Sequence, residues 1–274
     1  MSSYVVGELW RYPIKSFGGE RVDHVDLRAG GVVGDRRYAL RNTDTGRIVS
    51  AKRPRPYGQL LNWSAATDAD GAVWATSPAG ERFAVGDPGL VTALSDALGQ
   101  PIEMTEVAEG ADETYDSEWP EIPGTSLSNV EIELPIAMMT EKVSFADLGA
   151  LHIIVDTSLA RLESLSGVPG VVERFRPSMV LNAPAGTEGR FVDLEWQNVV
   201  ASSGDVELLV ADAAPRCVMT TLAQGEHPAA KEILATLAAE AKKTFEVGTY
   251  ACFGTYAEVT AGGSLTVGDQ LALV

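Results

Sequence analysis

The chain holds two cysteines, and one of them, Cys217, stands in PRCVMTT (215–221), with a cation before it and two hydroxyls after it. A thiolate is a nucleophile and a soft metal ligand, and a neighbouring arginine such as Arg216 suits its charged form. The same residue could equally be a small buried apolar side chain. One cysteine does not hold a metal tightly by itself, so a metal at Cys217 would arrive already bound to a cofactor. Cys252, in the aromatic and apolar YACFGTY (250–256), reads as packing.

Cations recur beside glycine, proline and hydroxyl residues. YPIKS (12–16) carries Lys15 and Ser16, GDRRY (34–38) carries Arg36 and Arg37, and RFRPSMV (174–180) carries Arg176 and Ser178. Arginine contacts phosphate in a planar, bidentate way and lysine acts as a point charge. These are the groups that a phosphorylated small ligand needs, and each is also an ordinary surface cation when taken alone. Asp156-Thr157-Ser158 follows an apolar run, where a helix N-terminus offers free N–H groups to an anion. The plain alternative for those three residues is a helix cap.

The elements that must position these groups are mostly strands. YVVGELWRY (4–12), ERVDHVDL (20–27) and YALRNTDTGRIVSA (38–51) are rich in strand formers, with hairpin turn chemistry at Asp44-Thr45-Gly46. A closed or barrel-like sheet follows from such short, turn-linked strands. A helix is predicted over 88–98, with Asp87 as its cap and Gly99 at its exit. LHIIVDTSLARLESLSG (151–167) reads as strand, turn and helix. A further helix is predicted through 227–243, with Ile233, Leu234 and Leu237 as its stripe and lysines at its end. The acidic, turn-rich stretch 107–128 reads as a linker or mobile loop. The last strands, 256–259 and 264–274, flank Gly268-Asp269.

Composition bounds the functions. With 274 residues, 38 acidic and 21 basic side chains and a formal charge of −17, the chain repels phosphate backbones and anionic surfaces, which excludes nucleic acid and membrane as partners. Its apolar runs are too short to span a bilayer. MSSYVVGELW lacks the pattern of a secretory signal, and a cytoplasmic location is expected. Three scattered histidines and two cysteines make neither a zinc site nor a disulfide framework.

Taken together, LWRYPIKSFGGE, GVVGDRRYAL, AKRPRP, VSFADLGALHIIVDTSLARL, RFRPSMVLN, PRCVMTT, CFGTYAEV and GGSLTVGD resemble, in order and spacing, proteins with an N-terminal MOSC β-barrel domain followed by a MOSC domain. This group includes the mitochondrial amidoxime-reducing component, and MOSC domains also form the C-terminal part of molybdenum cofactor sulfurases. The resemblance implies a mainly β fold with some α, in two β-barrel-like domains at residues 1–106 and 129–274, with a cofactor in the cleft between them. It implies the molybdenum cofactor (molybdopterin), with Cys217 as the metal ligand and catalytic residue and Arg216 beside it. Lys15, Ser16 and Arg36 would bind the cofactor's phosphate, Thr157 and Ser158 would make the strand-to-helix contact, and Arg176 would match the arginine of an R-P-N motif. Ser178 stands where the family commonly has asparagine, and a hydroxyl is shorter and cannot bridge two acceptors. The implied function is an oxidoreductase acting on N-hydroxylated compounds, such as amidoximes or hydroxylamines. The alternative is a carrier of the cofactor or of sulfur without turnover of its own. Two cysteines are too few for an iron–sulfur cluster, so electrons are expected from a separate flavin, haem or iron–sulfur protein.

Overall fold

The computed structural model describes residues 2–108, 112–118, 131–136 and 143–274. Its centre is a closed barrel of seven strands, in the order Leu151–Val155, Met179–Asn182, Ser2–Arg11, Gln270–Leu273, Val199–Ser203, Val206–Pro215 and Gly248–Ala261. The last strand returns to the first through Leu151↔Ala257 and Ile153↔Thr255. Ring order does not follow chain order: Ser2–Arg11 sits between strands that begin at residues 179 and 270. The one parallel pair within the barrel, Ile153↔Met179 through Val155↔Leu181, is joined through the helix Asp156–Ser166. A parallel connection requires such a crossover.

Strand alternation sorts the side chains. Leu151, Ile153 and Val155 join Met179, Leu181, Leu208, Val210, Ala257 and Leu271 inside the barrel. Ile154 and Val180 point outward into a separate core, where the helices Asp156–Ser166 and Lys231–Glu240 pack with Phe175 and Phe253. By the same period of two, His152 lies outside the barrel.

The rest of the N-terminal half forms small sheets around its own core of Ile14, Phe17, Leu40, Trp63, Leu90, Leu94 and Leu98. The helix Pro88–Leu98 begins where expected: Asp87 Oδ1 accepts from Gly89 N at 2.8 Å, and Gly99 closes it in the left-handed region at φ 62°. The Asp44-Thr45-Gly46 turn also forms, with Asn42 Oδ1 accepting from the N–H groups of Asp44 and Thr45. Two expectations need correction. The helix within 227–243 is only Lys231–Glu240, because Lys242–Phe245 is drawn into a strand against Gly248–Ala261. Of the stretch 107–128, residues 109–111 and 119–128 lie outside the described residues, and Thr114–Glu118 is a strand with Tyr115 buried.

Asp193, in the short turn Val192–Glu195, is fully buried against the start of the helix Asp156–Ser166. It accepts from Ser158 Oγ at 2.7 Å and from Val155 N at 3.2 Å. Burial outweighs those hydrogen bonds and raises its carboxyl to about 6. A carboxyl raised on folding stabilises the fold most below its unfolded value of about 3.9, and that contribution is lost as pH rises through about 6. The unfolding free energy of the wild type minus that of Asp193→Asn, from urea titrations across this range, should therefore fall with rising pH and then level off. A difference that rises with pH would contradict this reading.

Candidate functional site

The strand Ser2–Arg11 leaves the barrel at Arg11, and the chain continues as Tyr12-Pro13-Ile14-Lys15-Ser16. Lys15 and Ser16 thereby line a cleft whose other walls come from residues 50–52, 145–152, 174–176 and 215–220. Six cationic side chains line it, Lys15, Arg36, Lys52, Arg174, Arg176 and Arg216, and among the described residues Asp147 is the one carboxylate in its wall. For a chain with 38 acidic and 21 basic side chains, this concentrates positive charge sharply.

The cations are held in different ways. Lys15 Nζ donates to Phe145 O at 2.8 Å and to Asp147, and Lys52 Nζ lies 2.8 Å from Tyr115 Oη and 3.1 Å from Asp147 Oδ2. Burial would raise the Asp147 carboxyl, but the two lysines outweigh it and hold Asp147 well below the usual carboxylate range. One carboxylate does not compensate both ammonium groups equally. Burial pulls Lys15 down to about 8, whereas Lys52 is raised despite its burial by Asp147, then Tyr115 and Cys217.

Tyr12 lies between two guanidinium groups, with Arg176 4.4 Å and Arg36 4.9 Å from its ring centre. Arg36 pairs with Asp35, whose charge outweighs the cost of burial and raises the arginine. Arg176 donates to Phe17 O, and burial, then Arg36, lowers it to about 10. The Arg176 Nη2 and Tyr12 Oη atoms are buried with no hydrogen-bond partner. Backbone strain gathers at the same place. Among the described residues, four non-glycine residues have positive φ, and three of them, Ser16 (68°), Arg36 (47°) and Arg176 (54°), line the cleft. Such strain tends to collect where geometry serves a ligand.

Cys217 is half-buried and free, and it starts the short turn Val218–Thr221. Arg174 fixes that turn: its Nη1 donates to Thr220 O at 3.3 Å and to Leu222 O at 2.9 Å, and its Nη2 donates to Pro228 O. Arg216 donates to Ala214 O at 3.0 Å and Phe175 O at 3.3 Å and packs over Tyr256. Burial, then Arg216, keeps the His152 imidazole well below its ordinary value, and Nε2 lies 3.1 Å from Phe253 O. Gly254, at φ 72°, allows this contact, because a Cβ there would lie 2.3 Å from His152 Nε2.

Of the residues singled out from the sequence, Lys15, Ser16, Arg36, Arg176, Arg216 and Cys217 come together in the cleft. Thr157 and Ser158 do not line it. The helix start that they form already has an anion, Asp193, which takes the Ser158 hydroxyl. The segment immediately before that strand, 145–150, supplies the cleft wall instead. Ser178 is also absent from the lining: its Oγ accepts from His152 N at 3.2 Å, and its own N–H donates to His152 O at 2.7 Å. Sequence reasoning missed Lys52, Asp147, His152 and Arg174 as cleft residues. Lys52 and Asp147 lie inside AKRPRP and VSFADLGALH, stretches whose pattern was visible without assigning either side chain.

Residues 3–113 match the MOSC N-terminal beta barrel domain and residues 140–272 match the MOSC domain. The chain belongs to the family of proteins that join these two domains, and MOSC domains are associated with the molybdenum cofactor. Among curated proteins it is similar to mitochondrial amidoxime reducing component 2 of Rattus norvegicus, at 31% identity over 137 residues. That match takes in 47% of this chain and 38% of the relative, so the chain spans well under two thirds of that protein. Among solved structures it is similar to the YUAD protein from Bacillus subtilis, at 13% identity and a TM-score of 0.47 over 99% of this chain and 95% of that one. YiiM from Geobacillus stearothermophilus gives 15% identity and a TM-score of 0.31 over 58% of this chain and 72% of that one. Neither likeness adds to the fold described above. No helix among the described residues is long and apolar enough to cross a membrane.

The two thiols should separate chemically. Cys252 is fully buried, and burial pushes it up to about 11. Iodoacetamide should label Cys217 and spare Cys252 in the folded chain, as read by peptide mass spectrometry. Arg174→Met removes the donors that fix the Cys217 turn and should speed labelling at Cys217 by at least about threefold, the mark of a locally loosened segment. An unchanged rate would show that Arg174 does not fix the turn.

Proposed function

We propose that this protein is a molybdenum cofactor-dependent oxidoreductase that reduces N-hydroxylated compounds of the amidoxime or hydroxylamine type. The observation that carries the proposal is a half-buried free thiol, Cys217, facing a cleft with six cationic side chains and one carboxylate.

The residues fit such a group. A phosphorylated ligand would meet Lys15, Lys52, Arg36 and Arg176, and Arg176 Nη2 has no hydrogen-bond partner within the protein. Burial depresses the Lys15 ammonium, and an anion beside it would favour its charged form. Among the described residues no three His, Cys, Asp or Glu side chains come together to hold a metal by themselves. A metal at Cys217 would therefore bring its other ligands with it, as a pterin cofactor does. When bound, the cofactor supplies the two-electron redox chemistry that removes the hydroxyl oxygen of the substrate.

The chain's own residues do the holding and shaping. Arg174 fixes the carbonyls of the turn that Cys217 starts, and Cys217 lines the cleft. Arg216 and Tyr256 wall one side, and the neutral His152 stays neutral beside them. The substrate class is supported by the name of the rat relative, which is an amidoxime reducing component. We place the source of electrons in a separate protein of flavin, haem or iron–sulfur type; the two cysteines of this sequence, one of them buried, are too few to ligate an iron–sulfur cluster.

Metal and pterin analysis of the wild type and Cys217→Ala, both made in a host that synthesises the cofactor, tests the proposal. Stoichiometric molybdenum and pterin are expected in the wild type, with molybdenum reduced in the variant. Cys217→Ser should fail to reduce a test amidoxime with a chemical reductant. Molybdenum bound without any turnover would point instead to a carrier that hands on the cofactor or its sulfur. No molybdenum in either protein would end the reductase reading.

A further inference from the structure

The cleft's donors are largely committed to the protein itself. Lys15 uses two of its three donors on Phe145 O and Asp147, and Lys52 uses two on Tyr115 Oη and Asp147. Both ammonium groups also rest on the Tyr115 ring, 4.8 and 5.2 Å from its centre. Arg36 is taken by Asp35 and by Arg176 O, and Arg174 and Arg216 by backbone carbonyls. A free oxyanion entering this cleft meets few open donors and the fixed charge of Asp147.

We infer that Asp147 is a specificity-determining residue that holds small free oxyanions, inorganic phosphate foremost, out of the cleft, and that Lys15 and Lys52 open only to an anion carried on a larger ligand anchored elsewhere in it. The inference rests on the reading of the cleft as a phosphate-holding site. Two negative charges a few ångströms apart repel strongly where water is excluded, and repulsion of the wrong ligand is a general route to selectivity. The carboxylate has a structural task as well, since two buried ammonium groups without it would lack a counter-charge. A ligand that also engages Cys217 has a further contact to offset the approach of its phosphate to Asp147. Free phosphate has none.

The test uses the full chain, purified from a host that does not make the cofactor, and titrates inorganic phosphate by calorimetry. Asp147→Asn should bind phosphate at least about tenfold more tightly than the wild type, the size of effect expected when a like charge is removed at this range. Adding Lys52→Met to Asp147→Asn should abolish the gain. Asp147→Ser is measured in parallel, so misfolding of one variant leaves the comparison intact. Equal affinity in the wild type and both Asp147 variants would overturn the inference. So would a gain that survives Lys52→Met, since the phosphate would then be bound elsewhere. The molybdenum and pterin content of Cys217→Ala does not enter this comparison, so the cofactor reading and the role of Asp147 can fail separately.

Discussion

The closing pair of the barrel, Leu151–Val155 against Gly248–Ala261, is the contact on which the other features depend. A strand shows alternate residues to opposite faces, so once Leu151 and Ile153 are committed to the interior, His152 must face outward. The same pairing brings Tyr256 opposite His152 and so places the segment 145–150, which leads into the strand, beside the Cys217 turn, which follows Val206–Pro215. The opposite wall arrives by way of Ser2–Arg11, whose exit delivers Lys15 and Ser16. The cleft is thus a product of barrel closure, and none of its walls is a self-contained element.

Charge is the second constraint. Buried arginines ordinarily sit beside carboxylates, which cancel them. Here Arg174, Arg176 and Arg216 donate chiefly to backbone carbonyls. Carbonyls satisfy the N–H groups without neutralising the cation, so the positive field survives in a chain of strongly negative net charge. Asp35 and Asp147 temper that field at particular points, beside Arg36 and between the two lysines.

Much of this was legible in the sequence where a local rule sufficed. Asp87, Pro88 and Gly99 bound a helix that forms as written, because capping is decided within a few residues. The strand-to-helix joint at Asp156 was likewise visible. Its partner was not, because Asp193 lies 35 residues beyond Ser158 and nothing local marks it as the anion that fills the helix start. For that reason nothing local shows that Thr157 and Ser158 stand apart from the cleft lining. Lys242 and Lys243 continue the helical pattern of 227–243 but form strand, because the pairing of Lys242–Phe245 with Gly248–Ala261 is a tertiary preference that overrides it. Cys217, Lys15, Arg36 and Arg176, which motif chemistry marks, share the cleft. Lys52 and Asp147 carry no such mark, since only the fold shows that one carboxylate serves two lysines.

The position of Ser2–Arg11 in the ring carries a consequence for synthesis. Its neighbours are Met179–Asn182 and Gln270–Leu273, strands made long after it. While the chain is still emerging from the ribosome, the end of this first strand has only Glu20–Val22 to pair with, and contacts as distant in sequence as its barrel neighbours form slowly. The wall that Ser2–Arg11 delivers therefore takes its final place only once residues far along the chain have joined the ring.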